Sequence, residues 1–179
     1  MKGRLLVAVP AMSDPNFART VVLLLEHTDE GALGVVLNRP SDTTVGEALP
    51  GWESVAAAPA VVFVGGPVAP TGALALGTVR NGDAPGWAPV LGAVGLLDLG
   101  ASPESAAPEI TRARLFAGHA GWSPGQLETE VAAGGWFVVD AEPGDAFATD
   151  PEGLWSAVLG RQPGRLSWFA RCPPDPRVN

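Results

Sequence analysis

Hydrophobic residues along this chain fall in short dense blocks rather than at helical spacing. RLLVAV over residues 4–9 and RTVVLLLEH over 19–27 are the first two, each of strand length. The second is unbroken in Val and Leu, which predicts a strand covered on both faces. A turn at Ser13-Asp14-Pro15-Asn16 separates them. ALGVVLNRP, residues 32–40, supplies a third strand stopped by Pro40. The spacer Thr28-Asp29-Glu30-Gly31 joins it to the second as an antiparallel hairpin, with Leu23, Leu25, Val35 and Leu37 buried.

Beyond the hairpin the pattern predicts a short helix near Val45–Leu49. AVVFVGGPV reads as a fourth strand ended by Gly65-Gly66-Pro67, with ALALGTV returning against it. VLGAVGLLDL adds one or two strands, and Gly100–Ile110 has room for one short helix begun by Ser102 and Pro103. ARLFAGHA is a further strand, followed by a helix to about Ala133 that Gly134-Gly135 closes, and by a last strand, GWFVVDA. DPEGLWSAVLG predicts a C-terminal helix capped by Asp150 with Pro151 at its first position. The proline-rich tail from Pro163 to Asn179 is expected to fray. Many strands with few short helices argue for an α+β fold: one domain over residues 1–179, built on a mixed, strongly curled sheet.

The stretch that looks most like chemistry is Gly121-Trp122-Ser123-Pro124-Gly125, a literal G-x-S-x-G. A serine-hydrolase elbow needs a strand, a sharp turn bearing the serine and a helix, and it takes one oxyanion donor from the N–H of the residue after the serine. Pro124 has no N–H. Both histidines, His27 and His119, precede the serine, against the chain order of that fold. A helix start accounts for the same letters: Ser123 as N-cap, Gln126 completing a capping box, Pro124 at the first helical position, and Trp122 and Leu127 at staple spacing.

Composition narrows the function. The 179 residues carry a net charge of −8, with a single lysine (Lys2) and no basic cluster. Binding to nucleic acid through phosphate neutralisation is therefore not expected. Arg161, Arg165, Arg171 and Arg177 gather near the C-terminus and read as a solvated tail. The single cysteine, Cys172, forms no intrachain disulfide and suits a cytoplasmic setting. Residues 54–79 are uncharged and long enough to span a bilayer, but three prolines and four glycines exclude a membrane helix. Two histidines and one distant cysteine have no metal-ligand spacing; no metal, cofactor or catalytic residue is assigned.

Four ordered blocks, GRLLVAVPAMSDPNFARTVVLLLEH, GALGVVLNRP, VFVGGPV and RLFAGHAGWSPGQLETEVAAGGWFVVDA, make the chain resemble the YqgE/AlgH family over nearly its whole length. The resemblance implies an α+β pseudo-barrel with a coiled, partly bifurcated sheet. It implies no established enzymatic activity, and members are often labelled transcriptional regulators. His119 stands where members more often carry Tyr, and Ser123 where Gly is common.

The candidate ligand-binding residues follow from turns and strand ends. Arg19, Asn38 and Arg39 are polar groups beside the first hairpin, and His27 follows Glu26 at a strand end. Gly65 and Gly66 make either an anion-binding nest or a tight turn. His119, Trp122 and Gln126 flank a helix start that would favour an anion. Three functions are open: a non-enzymatic binding or regulatory module acting through a protein or small-molecule partner, a hydrolase with a crevice near residues 19–39 and 118–126, and, last on grounds of charge, a direct DNA binder.

Overall fold

The Val/Leu block accounts for the layering of the molecule. In the computed structural model, which describes residues 1–81, 84–100 and 109–173, this block opens strand β2 (Val21–Thr28), and its first five residues are buried. Val21, Leu23 and Leu25 enter one hydrophobic cluster, Val22 and Leu24 another, as alternation across a pleated strand requires. β1 (Arg4–Ala8) pairs antiparallel with β2, and β2 pairs with β3 (Gly31–Val36) through the expected hairpin. Leu23, Leu25, Val35 and Leu37 are all buried.

The remaining elements follow in chain order. β4 (Pro40–Thr44) leads into α1 (Val45–Ala48), which carries a complete Thr44/Glu47 capping box. Then come β5 (Val61–Val64), β6 (Val68–Val79), β7 (Trp87–Leu91), β8 (Val94–Leu97) and the long β9 (Ile110–Trp122). α2 (Gln126–Ala132), β10 (Trp136–Asp140), α3 (Leu154–Gly160) and α4 (Leu166–Phe169) complete the described chain. The sheet runs β10-β1-β2-β3-β9-β6-β8-β7, and β5 joins it between β4 and β9. The β5–β9 pairing is parallel and the others between strands are antiparallel. The result is a single α+β domain, a curled half-barrel with four short helices among the described residues.

β9 is the shared strand. Its last residues, Ala120–Trp122, pair with β3, and its earlier part pairs with β6. Ala117 lies opposite both Val64 of β5 and Ala73 of β6, so between these strands the chain crosses from one edge of β9 to the other. The expected return of ALALGTV against the fourth strand therefore does not occur. Glycine makes the crossing possible: a Cβ on Gly65 would run into the Gly118 carbonyl, and one on Gly66 (φ +151°) into the backbone of His119.

Four further expectations change. The third strand ends at Val36 rather than at Pro40, which instead begins another strand, β4, as an edge position permits. The C-terminal helix starts at Leu154 rather than Pro151, after a turn in which the Asp150 carboxylate accepts the Gly153 N–H (3.1 Å). The tail is ordered through residue 173: α4 forms, Phe169 stacks on Phe137, and Arg19 donates to the Cys172 carbonyl (3.1 Å). Residues 174–179 and the helix expected from Ser102 lie outside the described residues. Arg161 is no solvated tail residue either, since it forms a bidentate pair with the buried Asp145 (2.6 Å for each N–O contact).

α3 closes the larger core. Leu154, Trp155, Val158 and Leu159 are buried against the β1–β2–β3 face, each contributing about 1.5–3 kcal/mol of apolar burial. The Trp155 indole N–H donates to the Ala8 carbonyl (2.8 Å). Among the described residues no helix is long and apolar enough to cross a membrane.

Candidate functional site

The end of β9, α2 and the start of β10 frame a pocket of about 520 Å³. Trp122 closes β9. Ser123-Pro124-Gly125-Gln126 then turns the chain, with Gln126 N–H donating to the Ser123 carbonyl (3.0 Å) and Gly125 left-handed at φ +73°. Proline second and a left-handed glycine third are the placements of a type II turn. α2 begins at Gln126 and ends in a Schellman pattern, Gly135 N–H to Glu130 O and Gly134 N–H to Val131 O, with Gly134 at φ +79°. That sharp stop delivers Trp136 back beside Trp122.

Between the two indoles lies the Glu130 carboxylate. Its Oε2 accepts from Trp122 Nε1 (3.0 Å) and Trp136 Nε1 (2.9 Å), and its Oε1 accepts from Gln126 Nε2 (2.9 Å). Gln126, one helical turn earlier, is oriented in turn by the Ser123 N–H, which donates to its Oε1 (3.0 Å). Phe17 packs on both indoles, with centroids 6.2 Å from Trp122 and 5.5 Å from Trp136, and the indoles are 6.1 Å apart. Met12, Ser13 and Asp14 close the other side of the cavity.

The helix-start expectation is half met. Gln126 makes its half of the capping box, and Trp122 and Leu127 share one cluster. The Ser123 hydroxyl makes no cap bond, and the residue at the N-cap is Gly125. Gly125 cannot be helical at its left-handed φ, so Pro124 falls in the turn and not at the first helical position. The Pro124-Gly125 dipeptide was itself the turn signal that the capping-box reading passed over.

The other sequence candidates are scattered. Arg19 (φ +56°) lies over the Trp155 ring, 3.9 Å from its centroid, and donates to the Cys172 carbonyl. Buried Asn38 accepts from Val21 N–H (2.9 Å) and donates to the Arg19 carbonyl (2.9 Å). Arg39 donates to the Pro15 and Ala18 carbonyls (2.8 and 3.3 Å). These three gather round the 15–21 segment with their polar atoms on backbone. Burial holds both guanidinium groups below their ordinary pKa. Gly65 and Gly66 are spent on the strand crossing, and His119 lies on β9 opposite Val68.

His27 meets not Glu26 but Glu128 of α2, with Nε2 2.5 Å from Oε1, while its Nδ1 lies 3.0 Å from the Met1 amino nitrogen. The Glu128 backbone N–H, then the His27 hydrogen bond, hold that carboxyl below its ordinary pKa. Of the candidates, Trp122 and Gln126 alone line the 520 Å³ pocket. Among the described residues, no three His, Cys, Asp or Glu side chains gather as a metal site.

Sequence reasoning missed Phe17, Glu130 and Trp136. Glu130 reads as a helix-dipole residue, and nothing local says that two indoles 14 residues apart converge on it. Arg114 was also missed: it is 2% exposed on β9, donates to the Ala58, Ala146 and Ala148 carbonyls (2.6, 3.4 and 3.0 Å) and lies 4.3 Å from the Phe63 ring centroid. Burial, then the nearby Arg112 charge, lowers its pKa to about 10, and its buried Nε has no partner.

The half-barrel recurs in related proteins. The chain belongs to the AlgH-like family, whose model matches residues 5–167. It is 53% identical to a UPF0301 protein of Streptomyces coelicolor, over 100% of this chain and 95% of that one. Against a UPF0301 protein of Thermobifida fusca the identity is 45%, covering 100% and 96%. Among solved structures, a crystal structure of a Corynebacterium diphtheriae protein superposes with a TM-score of 0.89 at 35% identity, covering 94% of this chain and 91% of the other. The solution structure of the AlgH protein from Pseudomonas aeruginosa gives 0.69 at 32% identity, covering 94% and 92%.

Proposed function

We propose that this chain is a non-enzymatic binding module of the cytoplasm, and that its ligand enters the pocket between the 9–17 segment, α2 and the start of β10. One observation carries the reading: Glu130 is held at the pocket by three uncharged donors. A preformed, largely apolar cavity of a few hundred Å³ with a few fixed polar groups is the usual form of a small-molecule site. Binding is favoured over hydrolysis because Pro124 removes the N–H that the elbow would use, while both His27 ring nitrogens are engaged away from Ser123. Any part in transcriptional regulation would run through the ligand or a protein partner, since a net charge of −8 works against contact with phosphates.

The test is an NMR titration of tryptophan-labelled protein with a library of small fragments, followed by product analysis. The expected outcome is saturable movement of the Trp122 and Trp136 indole signals with the ligand recovered unchanged. Ligands that move only other signals, or that are turned over, would overturn the proposal.

A further inference from the structure

The chemistry of the same pocket selects a ligand class, an inference that rests on the pocket being the binding site. Only two of its lining residues are charged, Asp14 and Glu130, and both are acidic. No lysine, arginine or histidine of the described chain forms an ion pair with Glu130. Asp14 accepts from the Asn16 N–H (2.8 Å) and acts electrostatically on Arg39, without an ion pair between them. The Glu130 carboxylate thus lies beside the cavity with neutral dipoles as its hydrogen-bond partners among the described residues.

The aromatic residues add a second, independent preference. Both indole N–H groups are turned onto Glu130 and both rings are buried, so what Trp122 and Trp136 present at the pocket wall is carbon surface. Phe17 adds a third ring in contact with both. Ring faces attract cations, most strongly where water is displaced. The acceptor count narrows the choice further. A carboxylate has about four acceptor positions, and three of those of Glu130 are occupied. A primary ammonium, with three N–H groups to satisfy, finds few acceptors left. An alkylated ammonium has few or none to satisfy and needs only a nearby negative charge and apolar surface.

We infer that the pocket binds an alkylated organic cation, with its ammonium centre beside Glu130 and Asp14 and its alkyl groups against Phe17, Trp122 and Trp136. The source is a free small molecule or an alkylated lysine side chain, and the two share this chemistry.

The experiment compares isosteres on the full chain. Choline and its neutral carbon analogue, 3,3-dimethylbutan-1-ol, are titrated separately by calorimetry and by the indole NMR signals of Trp122 and Trp136. A peptide carrying trimethyl-lysine forms a third arm. Choline is expected to bind at least about tenfold more tightly than the alcohol, and Glu130→Gln to remove that preference while leaving the alcohol unaffected. Asp14→Asn, at the exposed rim, gives a second variant should Glu130→Gln melt early; it should weaken choline by a smaller factor. Tighter binding of the peptide than of choline assigns the cation to a protein partner, and the reverse to a free metabolite. Binding of the alcohol equal to or tighter than that of choline overturns the cation inference and leaves the pocket as the site. If no arm moves the indole signals, the cation inference falls, and the fragment titration decides the pocket reading separately.

Discussion

Two regions along and just beyond β9 hold a lone charge by neutral groups, in different surroundings. In the first part of β9, Arg114 is buried with no carboxylate partner among the described residues, its guanidinium on three backbone carbonyls and the Phe63 ring. β6 pairs with the strand there and β5 takes its other edge from Phe116, while Gly65, Gly66 and Gly118 let the backbones touch farther along. At the far end β9 lets go into a turn and α2. The charge held by neutral donors there is Glu130, and beside it is a cavity of about 520 Å³. A charge kept by dipoles alone is packed in on all sides in the first case and borders open space in the second.

The contrast can be broken experimentally, beginning with its strongest consequence. Arg114→Ala should cost about 3 kcal/mol or more, because it strands three carbonyls and opens a cavity. Chemical denaturation measures this, and a loss under about 1 kcal/mol would mean that the Arg114 clamp holds nothing. Gly65→Ala follows at about 2–3 kcal/mol, since the new Cβ meets the Gly118 carbonyl and the Val35 side chain. An unchanged denaturation midpoint would show that the crossing backbones can part.

The pocket should respond more mildly. Glu130→Gln keeps an acceptor for the indoles and should cost about 1 kcal/mol, or roughly 2–4 °C in Tm for a chain of this size. A loss as large as that of Arg114→Ala would make Glu130 a structural clamp as well and erase the distinction. Ser123→Ala should stay within about 0.5 kcal/mol, because its hydroxyl caps nothing. A drop of 1 kcal/mol or more would restore the serine to the N-cap role that its neighbours suggest.

Much of the fold is legible in the sequence. The Val/Leu run of 21–25, the 28–31 spacer and the Gly134-Gly135 stop each announce a local geometry in a few consecutive letters, and each forms as read. The site was legible only in part. Trp122 and Gln126 stand out because they flank a turn, whereas Glu130 passes for a surface helix residue and Phe17 for part of a loop. Arg19, Asn38 and Arg39 look like a polar crevice on paper, but their polar atoms are bound to backbone around residues 15–21 and to Cys172.

Residue order by itself determined the first three strands, their hairpin, the short helix near Val45 and the net charge of −8. All of these follow from spacing, turn chemistry and charge over windows of a few residues. Tertiary structure alone decided which strands meet across β9, why Gly65, Gly66 and Gly118 must be bare, and that two distant indoles converge on one carboxylate. Those outcomes depend on backbone approach and side-chain convergence between segments far apart in the chain, and no local pattern encodes such distances.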